Sequence, residues 1–299
     1  MATSRFIKDG GLTARMTLTM FLLGGLYVAL VAVVLLYVRS LGGAVVVALV
    51  AIGIAFWQWW SSDKVAMRAM RAREVTPQEA PELHGMIDRL CALADMPKPR
   101  VGVSDMAIAN AFATGRSPDR SVVCVTTGIL RTLDAEELEA VLAHELSHVA
   151  HRDVLVMTVA SSAGIAAGLL MRFAQFGGMG RSRNNNALPA VLVALLVSLV
   201  VYAVSFLLLR LLSRYRELSA DRAGAYLTMK PAALASALQK ISGEAAATPT
   251  RDLRSASALC IVPALRGGGL SGLMATHPPL QQRLEQLARI QAELSRPTG

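Results

Sequence analysis

No charged residue falls between positions 16 and 38, and only Arg39-Ser40 separates that stretch from a second uncharged one over 41–60. An α-helix of about 23 residues is roughly 35 Å long, enough to cross a bilayer. The first stretch runs into LLYVRS with no small-residue cleavage site, so it reads as an uncleaved anchor rather than a signal peptide. The second ends in WQWW, an aromatic girdle suited to a membrane–water interface. Two more uncharged stretches follow at 154–171 and 187–209. The third is about 18 residues, rich in Ala, Gly and Ser, and reads either as a crossing or as a buried or re-entrant helix.

Composition agrees. The chain is 54% hydrophobic and only 17% charged, with a mean hydropathy of +0.46. Soluble domains carry roughly 25% charged residues. The net charge of +9 would suit nucleic acid or anionic lipid, but aromatics are only 5%, too few for a base-stacking surface. The expected partner is therefore a lipid bilayer and not nucleic acid. Basic residues flank the stretches unevenly. Arg5, Lys8 and Arg15 precede the first; Lys64, Arg68, Arg71 and Arg73 follow the second; Arg210, Arg214 and Arg216 follow the fourth. With four crossings all three groups lie on one side, which the positive-inside rule makes cytoplasmic. Arg172, Arg181 and Arg183 weigh against this, while three scattered cysteines with no CxxC fit a reducing compartment.

The chain thus divides into an N-terminal transmembrane hairpin (1–60), a polar block (61–153), a second hairpin (154–212) and a second polar segment (213–299). Residues 63–94 read as helical, with a break or helix start at Pro77 and Pro81. Short β-like runs follow at 101–105, 109–115 and 121–126. Ser117-Pro118-Asp119-Arg120 supplies turn chemistry between the last two, and a small antiparallel sheet is expected. Asp134, with Glu137 three positions on, then caps an amphipathic helix.

That helix carries His144-Glu145-Leu146-Ser147-His148, the pattern H-E-x-x-H. Histidines at i and i+4 share a helix face and can reach one zinc ion, and Glu145 is placed to take a proton from an attacking water. A catalytic zinc needs a third protein ligand. His151 lies about 10 Å of helical rise from His144, too far to share an ion whose bonds are about 2 Å. Glu217, with Asp221 one turn on, is the stronger candidate: one carboxylate would bind metal while the other orients a histidine. The same acidic pair among Arg214, Arg216 and Arg222 also reads as a solvated charge cluster.

The segments NAFATGR (110–116), VTTGIL (125–130), AVLAHELSHVAHRD (140–153), RELSADRAGA (216–225) and THPPLQQRLEQL (276–287), in this order, resemble the HtpX-type membrane zinc metallopeptidases, relatives of the CAAX prenyl endopeptidases and the Oma-type proteases. The resemblance implies one zinc per chain held by His144, His148 and Glu217, with Glu145 as general base and Asp221 orienting a ligand. It implies that Asn110, Ala111, Phe112 and Ala113 form an edge strand on which an extended substrate pairs; Phe112 reads equally as a core aromatic. His277 is expected either to hydrogen-bond the transition-state oxyanion or merely to lead into the last helix. The expected whole is a mainly α-helical integral membrane protein, about four transmembrane helices plus a zincin-like α+β catalytic domain. Its termini and catalytic domain would face the cytoplasm from the cell membrane. There it would clear misfolded or damaged membrane proteins. The competing readings are a CAAX-type processing peptidase and a non-enzymatic scaffold or sensor with a structural zinc.

Overall fold

The computed structural model describes residues 9–37, 45, 49, 52–53, 56–57, 59–152, 187–247 and 278–296. The third apolar stretch, the loop carrying Arg172, Arg181 and Arg183, and His277 lie outside the described residues. The chain divides into two compact units, Met1–Leu12 with Ser61–Val154 and Ser213–Gly299, and Thr13–Trp60 with Leu155–Leu212.

In the second unit, α1 (Gly10–Tyr37) and the first part of α6 (Ala187–Thr228) carry the first and fourth apolar stretches as helix. Leu23 is buried among Leu26, Leu208 and Leu209. Phe21, Val28, Leu196, Leu207 and Leu211 are exposed, and Phe56 stacks on Trp60 at 5.8 Å between ring centroids. Among the described residues no helix is long and apolar enough to cross a membrane, so the four crossings rest on the sequence alone.

The first unit is built on a four-stranded sheet in the order β1-β2-β4-β3, from β1 (Ala72–Glu74), β2 (Arg100–Ser104), β3 (Ala111–Gly115) and β4 (Ser121–Thr126). The β3–β4 pair is the expected antiparallel hairpin, with Gly115 at φ 141° leading into its turn. The sheet as a whole is not antiparallel, because β2 pairs with β4 in parallel. Turn chemistry settles only the hairpin. Every residue of β4 is buried, as in a central strand covered on both faces, and β2 pairs along its second edge. The helical reading of 63–94 also fails in its middle. Helix α2 (Ser62–Ala69) stops where Arg71 turns left-handed, at φ 48°, and β1 then pairs with β2 before α3 (Pro81–Ala94) begins.

After the short helix α4 (Thr127–Thr132), α5 (Ala135–Ala150) lies behind the sheet, almost wholly buried from Glu137 to Val149. Asp134 and Glu137 close the expected capping box: Asp134 Oδ1 accepts from Glu137 N at 2.9 Å, and Glu137 Oε2 accepts from Asp134 N at 3.0 Å. Glu137 also accepts from Ser236 Oγ and Lys240 Nζ of α7 (Pro231–Ala247), both at 2.6 Å. The cap thus doubles as a clamp between two helices. Leu138, Val141, Leu142 and Leu146 share one core with Val123 and Val125 of the sheet, Leu234 and Leu238 of α7, and Leu287 and Ile290 of α8 (Leu280–Leu294).

Candidate active site

His144 and His148 rise one turn apart on α5, their rings edge to face with centroids 4.9 Å apart and their Nε2 atoms 3.3 Å apart. Glu217 arrives from α6 and faces both. Its Oε2 lies 3.6 Å from His144 Nε2, and its Oε1 lies 3.6 Å from His148 Nε2. One ligand atom from each of the three residues falls within 4.8 Å of the others. All three residues are buried. Two atoms bound tetrahedrally to one ion at bond lengths of about 2.0–2.1 Å stand roughly 3.3 Å apart. The spacings of this trio therefore fit a single metal ion. Two nitrogens and a carboxylate also leave one tetrahedral position for water or substrate, as a catalytic ion requires.

α5 and α6 meet this closely because residue 224 is glycine. A Cβ there would stand 2.9 Å from the backbone nitrogen of His144. On the same face of α6, Asp221 Oδ1 lies 2.9 Å from His144 Nδ1. Burial disfavours the imidazolium of His144, but hydrogen bonds to Asp221 and Glu217 outweigh burial and lift its pKa to about 9. Burial likewise disfavours the charge on Asp221, and Arg283 overrides it, holding that carboxyl at about 2. Arg283, from α8, donates Nε to Asp221 Oδ2 at 2.7 Å and Nη2 to Oδ1 at 2.6 Å.

Glu145 points to the sheet side of the same helix turn and is 5% exposed. Burial raises its pKa, against the opposing pull of His144 and His148. Its carboxylate accepts a hydrogen bond from the backbone N–H of Ala113, which ties it to strand β3. That strand lies at the edge of the sheet. The segment before it is pinned by Thr126: Oγ1 accepts from Asn110 N at 2.9 Å and donates to Ile108 O at 2.6 Å. Gly128 lets the same segment pass, since a Cβ there would meet Ala107 O at 2.1 Å. The side chain of Phe112 packs with Ala66, Met70 and Cys124, so only its backbone faces outward from the core. His151 ends α5 as its C-cap and is not part of the converging trio.

The structure therefore brings His144, Glu145, His148, Glu217 and Asp221 to one point and ties β3 to it through Ala113; Ala111 and Phe112 lie in the same strand, and Asn110 just before it. Two participants escape a reading of the sequence. Gly224 follows Asp221 by three positions, and only the close crossing shows why it is glycine. Arg283 is the one charged residue in the buried stripe of α8 that also holds Leu287 and Ile290; that interruption is the signal that could have found it.

Residues 77–291 match the model for peptidase family M48. The chain is 55% identical over 296 residues to "Protease HtpX homolog 1" of Streptomyces coelicolor, covering 97% of this chain and 96% of the relative. It is 48% identical over 292 residues to "Protease HtpX homolog" of Moorella thermoacetica, covering 96% and 97% respectively. The crystal structure of S. mikatae Ste24p shares the fold, with a TM-score of 0.57 at 16% identity over 93% of this chain and 67% of that one. A chain matched along its whole length at this identity, with the site geometry above, belongs to peptidase family M48 among the HtpX-type proteases.

Proposed function

We propose that this chain is a zinc-dependent endopeptidase anchored in the cell membrane, which cuts misfolded or damaged membrane proteins at the cytoplasmic face. The convergence of His144, His148 and Glu217 next to the buried Glu145 carries the reading. These residues would hold one zinc ion, which when bound supplies Lewis acidity toward a carbonyl and a nearby water. The chain's own residues supply the rest. Glu145 accepts the proton of the attacking water at its carboxylate and passes it to the leaving amine. A buried carboxyl with a raised pKa suits both halves of that exchange. Strand β3 offers its outer edge to an extended peptide, so backbone hydrogen bonds hold substrates of varied sequence. A protease that meets many unfolded chains needs that tolerance.

The membrane setting is supported by the four uncharged stretches and by the apolar side chains exposed on α1 and α6, which water would penalise as a patch. The test uses purified full-length protein in detergent. Glu145→Gln should bind zinc as the wild type does and lose cleavage of an unfolded membrane-protein substrate. A Glu145→Gln protein that binds zinc and still cleaves at a near-normal rate removes the proposal.

A further inference from the structure

Arg283 is among the largest fully buried side chains of the protein, 2% exposed, on a helix whose other buried positions are Leu287 and Ile290. A guanidinium buried in an apolar stripe is costly unless it is paired. Its fork pairs with the carboxylate of Asp221 through two donors. A two-pronged bond fixes the plane of a carboxylate as well as its position. Asp221 Oδ1, one end of that plane, is also the atom 2.9 Å from His144 Nδ1. The order of contacts is therefore Arg283, Asp221, His144 and then the open face of His144 Nε2.

The docking of α8 does not need this arginine. Leu287 and Ile290 lie in the common core. Gln286 Nε2 donates to Leu218 O at 2.7 Å, and Tyr226 Oη donates to Glu293 at 2.7 Å. An apolar side chain at 283 would serve the packing alone. What it would not do is balance charge: Glu145, Glu217 and Asp221 form a buried acidic group, and all three act on Arg283 electrostatically. One guanidinium and one divalent ion together match three carboxylates.

We propose that Arg283 is a positioning residue for the metal site: by clamping Asp221 in a two-pronged hydrogen bond, it fixes the carboxylate that receives His144 Nδ1–H and so aims Nε2 of His144 at the metal. The C-terminal helix α8 is thereby part of the metal site although it supplies no ligand. This rests on the reading of His144, His148 and Glu217 as metal ligands.

The experiment measures zinc affinity of full-length protein in detergent, by competition with a chromophoric chelator, for wild type, Glu217→Ala, Arg283→Lys, Arg283→Met, Asp221→Asn and the double variant Asp221→Asn with Arg283→Met. Cobalt-loaded samples give the visible ligand-field bands as a second readout. Partners that orient a ligand typically contribute about 10–100-fold in metal affinity, and Arg283→Met should weaken zinc by about 10-fold or more. Arg283→Lys keeps the charge but loses the fork; it should weaken zinc less and shift the cobalt bands. If Arg283 acts through Asp221, the double variant binds zinc no worse than Asp221→Asn alone. Folded Arg283→Met and Arg283→Lys with wild-type zinc affinity and cobalt bands overturn the proposal. So do losses that add independently in the double variant, and so does failure of both single Arg283 variants to fold, which would make the residue a folding element only. A wild type that binds no zinc, or a Glu217→Ala protein that binds it normally, identifies the ligand assignment itself as the fault.

Discussion

The two halves of the metal site are built in different ways. One half, His144, Glu145 and His148, lies within five consecutive residues of one capped helix, and helical geometry alone sets its spacing. The other half is assembled from Glu217 and Asp221 on α6 and Arg283 on α8, and only the fold brings these to α5. The local half sets which atoms face the metal. The distant half sets how firmly they are aimed and how their charge is balanced. In the first half, a Glu145 variant should change the chemistry and leave the metal, while a histidine variant should remove the metal; variants in the second should change metal affinity and its dependence on pH.

The largest effect is expected in the local half. Glu145→Gln should lower kcat by about 10²–10⁴-fold with zinc content unchanged, read from turnover and metal analysis of the same sample. A parallel loss of zinc would show that the two halves are not separable in this way.

The next effect is a pH dependence set by the distant half. Asp221 and Glu217 raise the pKa of His144 from 6.5 to about 9. In the metal-free protein this contributes stability that is fully present below pH 6.5 and is lost as pH rises through about 9. Zinc competes with the same proton, so its affinity should fall by about tenfold for each pH unit below 9. Thermal unfolding across this window should show stability falling with pH in the metal-free protein and nearly flat with saturating zinc. Parallel slopes would mean that His144 does not exchange a proton for metal.

A smaller effect tests the crossing that joins the halves. Gly224→Ala places a methyl 2.9 Å from His144 N, against backbone that cannot swing aside. Overpacking of this kind costs roughly 1–3 kcal/mol, and the separation of α5 and α6 should weaken zinc as well. Loss of stability with full zinc affinity would show that the crossing tolerates a wider gap. The smallest effect belongs to His151. Although it is close in sequence to the two ligands, His151→Ala should keep zinc and activity, checked by metal content and turnover.

The sequence made the two halves legible to different degrees for the same physical reason. Asp134, Glu137 and the HExxH run act within one or two helical turns, so their capping and spacing can be read without the fold. The β3–β4 hairpin is local too, and its turn residues identify it. β1 is three residues long, too short to show a period inside a helical stretch. The parallel pairing of β2 with β4 depends on what covers a fully buried strand, which no short-range pattern records. Glu217 and Asp221 gave the right spacing, but an acidic pair among arginines reads equally as a solvated surface until the crossing with α5 buries it. Arg283 is easily passed over because an arginine on a helix is ordinarily at the surface; its burial is explained by Asp221, 62 positions away.

The central claim is that two histidines of one helix and one carboxylate of another hold a single metal ion. Its most direct measurement is zinc per protein chain for the wild type, His148→Ala and Glu217→Ala, each first shown to be folded. The account predicts one zinc in the wild type and loss from both variants, with the Glu217→Ala protein no better loaded than His148→Ala. A folded Glu217→Ala protein that retains a full zinc ion would contradict it.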